Sequence, residues 1–195
     1  KAFFSPQHVG EHTVIVPTWR SYDPKPDEVV LHLDPGMAFG TGLHATTRLC
    51  LVTIEHLLRP GMSVLDVGTG SGILAIAALK LGAEKVIATD IDPQALEATE
   101  ANARKNGIDP DRLITVLPDQ VPQIPADLVM ANILSGPLVE LEPTLAGLTR
   151  PGGQLILSGI LEDQADNVRE AYERDFELAP TRTQEEWVRI EGQRR

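Results

Sequence analysis

Cysteine is almost absent from this chain. One thiol, Cys50, in 195 residues excludes an internal disulfide and leaves no zinc cluster, as expected in a reducing cytosol; Cys50 itself reads as a small core residue. No apolar run approaches the roughly 20 residues of a membrane span, and no signal peptide opens the sequence, so a cytoplasmic protein with no membrane partner is expected. Positive charge is also scarce. Lys and Arg number 17 against 28 Asp and Glu, a formal net charge of -11. That balance argues against a bare nucleic-acid binder, whose footprint is a basic patch, and is compatible with a basic protein partner or with a generic soluble acidic protein. Internal repeats and low-complexity segments are missing. The length suits one domain and is too short for two dinucleotide-binding halves plus a substrate domain. Lys1 rather than Met stands first, and residues 1–35 read as a lead-in, the pattern of a piece of a longer protein.

What is present centres on residues 63–72, Ser-Val-Leu-Asp-Val-Gly-Thr-Gly-Ser-Gly. Val64, Leu65 and Val67 suit a strand buried on both faces, and Gly68, Gly70 and Gly72 remove the side chains that would keep a ligand off the backbone. Residues 70–75 also satisfy the dinucleotide pattern G-x-G-x-x-G/A. Charge separates the two readings. Asp66 places a carboxylate at the mouth of the loop, where it repels a pyrophosphate and favours a cation. S-adenosylmethionine has no phosphate and carries an ammonium and a sulfonium, so the loop suits it better than NAD.

Around this loop the chain alternates strand and helix. Thr13–Pro17 and Val29–Leu33 read as short strands ahead of the main sheet, with Pro24 and Pro26 in the loop between. A glycine-rich loop follows over residues 34–47, then a helix over 44–58 with Thr46 and Thr47 in its first turn. Residues 73–81 form a helix closing at Gly82, and Lys85–Thr89 the second strand. Asp92 caps a helix with Pro93 at its first position, running to Asn106 and Gly107. Strands are expected at 113–117, 127–131 and 154–158, the last after the Pro151-Gly152-Gly153 turn, with a helix at 138–148. A helix at 162–174 and strands at Phe176–Leu178 and 186–190, joined by a hairpin connection over 180–184, close the chain. Alternating strands and helices imply a parallel sheet with right-handed crossovers, helices on both faces, and the terminal hairpin inserting one antiparallel strand.

Ligands of such sheets sit at the carboxyl ends of the strands. Asp90 ends the second strand, where a carboxylate accepts from both ribose hydroxyls; Asp92 fills the helix-cap role better. Asp119 reads as a solvated loop acid, with the adenine edge as its other reading. Asn132 follows the fourth strand. Its amide oxygen, with a main-chain carbonyl, can hold the hydrogens of an amine and aim the lone pair. An end-of-strand turn residue is the plain alternative. His44 has no second histidine or cysteine at ligand spacing, so it reads as structural and no metal is expected.

The run Asp-x-Gly-x-Gly-x-Gly after a strand resembles the first motif of the Rossmann-like class I methyltransferases. Asp34-Pro-Gly-Met-Ala-Phe-Gly-Thr-Gly-Leu-His44-Ala-Thr-Thr47, with Asp90-Ile-Asp-Pro93 and Ala131-Asn-Ile-Leu134, is similar to the bacterial methyltransferases that modify the eleventh large-subunit ribosomal protein. The resemblance covers about residues 29–192. It implies a mostly parallel seven-stranded sheet with a C-terminal antiparallel hairpin strand. It also implies S-adenosyl-L-methionine as cofactor, and methylation of lysine side chains and an N-terminal α-amine on a large-subunit ribosomal protein, with no direct nucleic-acid partner. Carried over, cofactor contacts fall at Thr47, Gly68, Asp90 and Asn132, beside Asp66, Gly70 and Gly72 of the glycine loop. Phe39, Gly40 and Thr41 border the methyl-transfer site, and Asn132 has the catalytic role. Residues 1–33 are then a lead-in or linker and 34–195 the methyltransferase domain. The small N-terminal domain with which the family grips its substrate is expected to be missing here. No proline or aromatic follows Asn132, and Ser135 stands where related amine methyltransferases carry the aromatic. Other amine methyltransferases, an NAD-dependent oxidoreductase and a non-catalytic S-adenosylmethionine-binding module are the competing readings.

Overall fold

Val64 and Leu65 are buried on opposite faces of a central sheet, as expected of an apolar strand core. The structure, a computed structural model of the chain, describes residues 5–34 and 43–195. In order come β1 (Gln7–Val9), β2 (Thr13–Pro17), β3 (Val29–Leu33), α1 (Ala45–Leu57), β4 (Ser63–Val67), α2 (Ile73–Lys80), β5 (Lys85–Thr89) and α3 (Pro93–Lys105). They are followed by β6 (Leu113–Val116), β7 (Ala126–Asn132), α4 (Ser135–Leu148), β8 (Thr149–Leu161), α5 (Ala165–Tyr172), β9 (Phe176–Leu178), β10 (Arg182–Gln184) and β11 (Trp187–Arg194).

The main sheet has the order β10-β11-β8-β7-β4-β5-β6, with β9 also paired to β11. Strands β4 to β8 are mutually parallel and β11 is antiparallel to β8. β9 and β10 pair with successive stretches of the same strand, opposite residues 192–194 and 187–189 of β11. They are two halves of one edge strand interrupted at Pro180, so the sheet is seven positions wide, as expected. The interruption is filled by guanidinium groups: Arg169 donates to the Ala179 carbonyl at 2.9 Å and Arg189 to the Pro180 carbonyl at 3.4 Å.

The chain departs from the sequence reading in its details. β8 absorbs the Pro151-Gly152-Gly153 segment, because Gly153 sits where a Cβ would meet the carbonyl of Arg150 at 2.9 Å and of Asp127 at 3.1 Å. Residues 182–184, expected as a connection, pair with β11, and β1 was not visible in the apolar pattern because it is three residues long. The helix expected from 162 starts with a single 3-10 turn before α5. Two apolar layers result. Val64, Val86, Leu128, Met130 and Ile156 meet α1, α2 and α3, whereas Leu65, Val129, Leu155 and Leu157 meet α4 and α5. Cys50 is buried in the first layer, and burial pushes its thiol up to about 12. No helix among the described residues is long and apolar enough to cross a membrane.

The lead-in is packed into this core. Val9, Ile15, Leu31 and Leu33 share a layer with Leu51, Ile54 and Ile76. Strand β3 is tied to the end of α3 by Asn106, whose amide accepts from the His32 N–H at 2.7 Å and donates to the His32 carbonyl at 3.0 Å. The β1–β2 turn is held by Glu55 of α1, whose carboxylate accepts from the N–H groups of Glu11, His12 and Thr13 and from the Thr13 hydroxyl at 2.8 Å. Such charge-assisted bonds are roughly twice as strong as neutral ones. Glu55→Ala is expected to destabilise the protein by about 2 kcal/mol in urea unfolding, with the neighbouring Glu11→Ala within about 0.5 kcal/mol of the parent. Equal effects from the two would show that the turn is held by packing alone.

Candidate active site

The turn after β4 is built on the end of β5. The N–H groups of Gly68 and Thr69 both donate to the Thr89 carbonyl, at 2.9 and 3.0 Å, and Gly72 donates to the Thr69 carbonyl at 2.8 Å. The Gly70 N–H donates to one oxygen of Asp90 at 3.0 Å, and the Asp92 N–H to the other at 3.0 Å. Asp90 thus locks the loop to the start of α3 and keeps lone pairs on both oxygens for further donors. Asp92 caps α3 through Gln94, as expected.

Gly68 has φ +75°, and a Cβ there would lie 2.4 Å from the Ile133 side chain. Only glycine lets the β4 loop close on the end of β7. Gly72, with φ +84°, faces Thr99 of α3 at 2.7 Å from the same hypothetical atom. Its smallness serves helix packing.

Gly68, Asp90 and Asn132 line one cavity of about 520 Å³ with an apolar lining. Leu65 and Val67 form its floor, Leu141 and Leu145 of α4 one wall, and Pro118 and Val121 the other. It exists because the connection from β6 to β7 carries only a 3-10 turn at Pro118–Gln120, so no helix covers this part of the sheet. Ile91 and Leu134, 86% and 69% exposed, stand at its rim. The Thr89 hydroxyl, buried and lacking a hydrogen bond, also belongs to the lining. Neither rim residue was singled out from the sequence, although apolar residues directly after Asp90 and Ile133 were a readable signal. Asp119 lies in the 3-10 turn and is exposed.

The remaining expected residues stand elsewhere. Gly70 and Gly72 do not line the cavity, being engaged with Asp90 and α3. Thr47 is buried in the first turn of α1, and Asp66 is 1% exposed on the same side of the sheet. Phe39, Gly40 and Thr41 lie outside the described residues. His44 caps α1, accepting from the Thr46 N–H at 3.2 Å, and its ring meets Trp187 edge-on at 4.9 Å. Among the described residues no group of His, Cys, Asp and Glu could hold a metal ion.

Asp66 is the unusual group electrostatically. One carboxylate oxygen accepts from the Thr69 hydroxyl at 2.9 Å and the other has no partner. Burial, reinforced by the nearby Asp90 charge, pushes its pKa up to about 7. The folded protein therefore holds a proton that the unfolded chain releases near pH 4. Stability from this group is complete below that value and is lost as pH rises towards 7. Asp66→Asn keeps the neutral form at all pH, so its urea midpoint should fall less between pH 4.5 and 8 than that of the parent. Parallel profiles for the two proteins would show that Asp66 is ionised throughout.

The whole chain, residues 1–195, matches the family model described as ribosomal protein L11 methyltransferase (PrmA). Proteins named ribosomal protein L11 methyltransferase from Pseudomonas paraeruginosa and Azotobacter vinelandii are 57% and 58% identical over 98% of this chain. The chain spans 65% of the length of each. The crystal structure of a ribosomal protein L11 methylase from Lactobacillus delbrueckii subsp. bulgaricus superposes with a TM-score of 0.86 at 36% identity, covering 98% of both chains. A methyltransferase from Pyrococcus furiosus, 19% identical with a TM-score of 0.62 over 75% of this chain and 81% of its own, shares the fold. The Rossmann-like sheet with its reversed last strand is thus the class I methyltransferase architecture, and by model, sequence and structure the chain belongs to the ribosomal protein L11 methyltransferase family.

Proposed function

We propose that this chain is the catalytic part of an S-adenosylmethionine-dependent N-methyltransferase acting in the cytoplasm on lysine side chains and an N-terminal α-amine of a large-subunit ribosomal protein. The observation that carries the cofactor class is the spent loop. A phosphate-binding glycine loop offers free N–H donors to its ligand, whereas those of Gly68, Thr69, Gly70 and Gly72 in this loop are bonded within the protein. The orphan Asp66 oxygen beneath the loop and the close approach allowed by Gly68 fit a cationic, phosphate-free ligand. Asp90, with free lone pairs at the cavity rim, suits ribose hydroxyls, and the apolar slot past Ile91 suits a flat heterocycle. Thr47, Gly70, Gly72, Phe39 and Thr41 stay assigned to the cofactor by resemblance alone.

Bound S-adenosylmethionine supplies a methyl group on a sulfonium, open to in-line attack. The protein's part is positioning. Asn132 Oδ1 and the following main-chain carbonyl accept hydrogen bonds from a neutral amine and turn its lone pair inward. A lysine amine ionises near ~10.4 in water, so an apolar cleft beside a cationic cofactor favours the neutral form. The acidic chain, net charge -11, suits a basic ribosomal protein as partner.

Calorimetric titration with S-adenosylhomocysteine and, separately, NAD tests the reading. Saturable binding of the first alone is expected, weakened about tenfold or more in Asp90→Ala through loss of charge-assisted hydrogen bonds. Binding of NAD, or of neither ligand, would overturn it. Asn132→Ala should lower methyl transfer to the ribosomal protein about 100-fold or more, well beyond any accompanying loss of S-adenosylhomocysteine affinity; unchanged transfer would leave Asn132 no part in the chemistry.

A further inference from the structure

A second cleft, separate from the cavity of Gly68, Asp90 and Asn132, opens where α1 meets β10 and β11. It measures about 270 Å³, with Val52, Thr53 and His56 of α1 on one side and Arg182, Gln184 and Arg189 on the other. Pockets for drug-sized ligands begin at roughly 300 Å³, so its occupant is small. Charge narrows the choice further. In a chain of net charge -11, two arginines line this one cleft, and Glu191 is the single acid among the described residues around it.

Arg189 is only 5% exposed, which arginine tolerates when it is fully paired. The pairing is incomplete. Nη1 donates to the Thr53 hydroxyl at 3.0 Å and meets Glu191 Oε1 at 3.0 Å. Nη2 has the long 3.4 Å bond to the Pro180 carbonyl, and Nε has no partner among the described residues. Nε and Nη2 share one edge of the planar guanidinium, whose parallel N–H groups take two oxygens of an anion side by side. Glu191 meets the ion at Nη1 and leaves that edge unmatched. Burial lowers the Arg189 pKa, Glu191 offsets the effect, and the nearby Arg182 charge lowers it again. An anion between the two guanidinium groups would remove their repulsion.

We propose that this cleft is a binding site for a small oxyanion of the phosphate class, held between the Arg182 and Arg189 guanidinium groups with His56 beside it. The shape of the donor set favours phosphate over carboxylate. Donors come from α1, β10 and β11, on different sides of the cleft. A carboxylate presents its two oxygens in one plane, whereas a tetrahedral phosphate presents oxygens in all of these directions. The site goes beyond the methyl-transfer reading and does not depend on it, since its residues are not among those lining the other cavity.

Inorganic phosphate is the probe, titrated into the 15N-labelled chain at constant ionic strength with sodium chloride as the balancing salt. The Arg189 Nε–H resonance should move along a saturable curve with a Kd of about 1 mM. Arg182 is exposed, so Arg182→Ala should leave the rest of the spectrum in place while weakening phosphate binding about fivefold or more. A resonance that stays still or drifts without saturating would overturn the proposal, and so would an Arg182→Ala variant that binds phosphate as tightly as the parent. Acetate is the comparison ligand. It should bind about tenfold more weakly than phosphate; equal or tighter binding would make this a carboxylate site and overturn the phosphate assignment.

Discussion

The site depends on how the turn after β4 spends its backbone donors. Two N–H groups converge on the Thr89 carbonyl, a third is taken by Asp90 and a fourth by Thr69. In a phosphate-binding loop of similar glycine spacing, such donors point outward and the ligand completes them. Here the protein completes them itself, so the loop is folded before any ligand arrives. The carboxylates nearest the loop differ in exposure: Asp90 stands at the cavity rim, and Asp66 is buried below.

Asp66 shows what that arrangement costs. A buried carboxyl with one oxygen left unpaired destabilises its own charged form. The loss is offset by the surrounding core, where Leu74, Ala75 and Ile76 of α2 are almost fully buried. On the opposite face the sheet does the reverse and leaves apolar surface uncovered, because the β6–β7 connection is a 3-10 turn and a loop. One face holds a polar group where packing is complete. The other leaves packing incomplete where a ligand of mixed character can lie.

Much of this was legible in the sequence, for local reasons. The β4 run, the glycines after it, Asp92 with Pro93 and the alternation of strand and helix each have a short-range physical cause, and β4, β5, α2 and α3 fall within a residue or two of their expected bounds. Asp90 and Asn132, which line the same cavity, stood out as candidates because ligands of parallel sheets sit at the carboxyl ends of the strands. What was hidden is what depends on distant partners. Glu55 carries no local signal, and only its 42- to 44-residue reach to the β1–β2 turn makes it a fastener. The split edge strand was hidden for a related cause. Pro180 signals a break, and nothing local reveals that the strand resumes in the same position with Arg169 and Arg189 filling the gap. The tertiary partners of Gly70 and Gly72, Asp90 and Thr99, were likewise invisible in their spacing.

The lack of a proline after Asn132 finds its explanation in the same tertiary packing. A proline would fix the backbone of that turn by restricting φ. Ile133 is instead held from two sides: a Cβ on Gly68 would strike its side chain at 2.4 Å, and one on Gly159 its carbonyl at 2.5 Å. Two glycines on different strands let β4 and β8 close on Ile133 like jaws, so its carbonyl direction is set by packing and needs no covalent ring. Ser135, which takes the place of the resembling motif's aromatic, is likewise engaged, its hydroxyl donating to Gln164 Oε1 at 2.7 Å ahead of α5. A turn fixed by its neighbours keeps its geometry only while they stay small. For that reason the geometry of this turn is more sensitive to a methyl group added on β4 or β8 than to changes in the exposed side chain of Leu134 beside it.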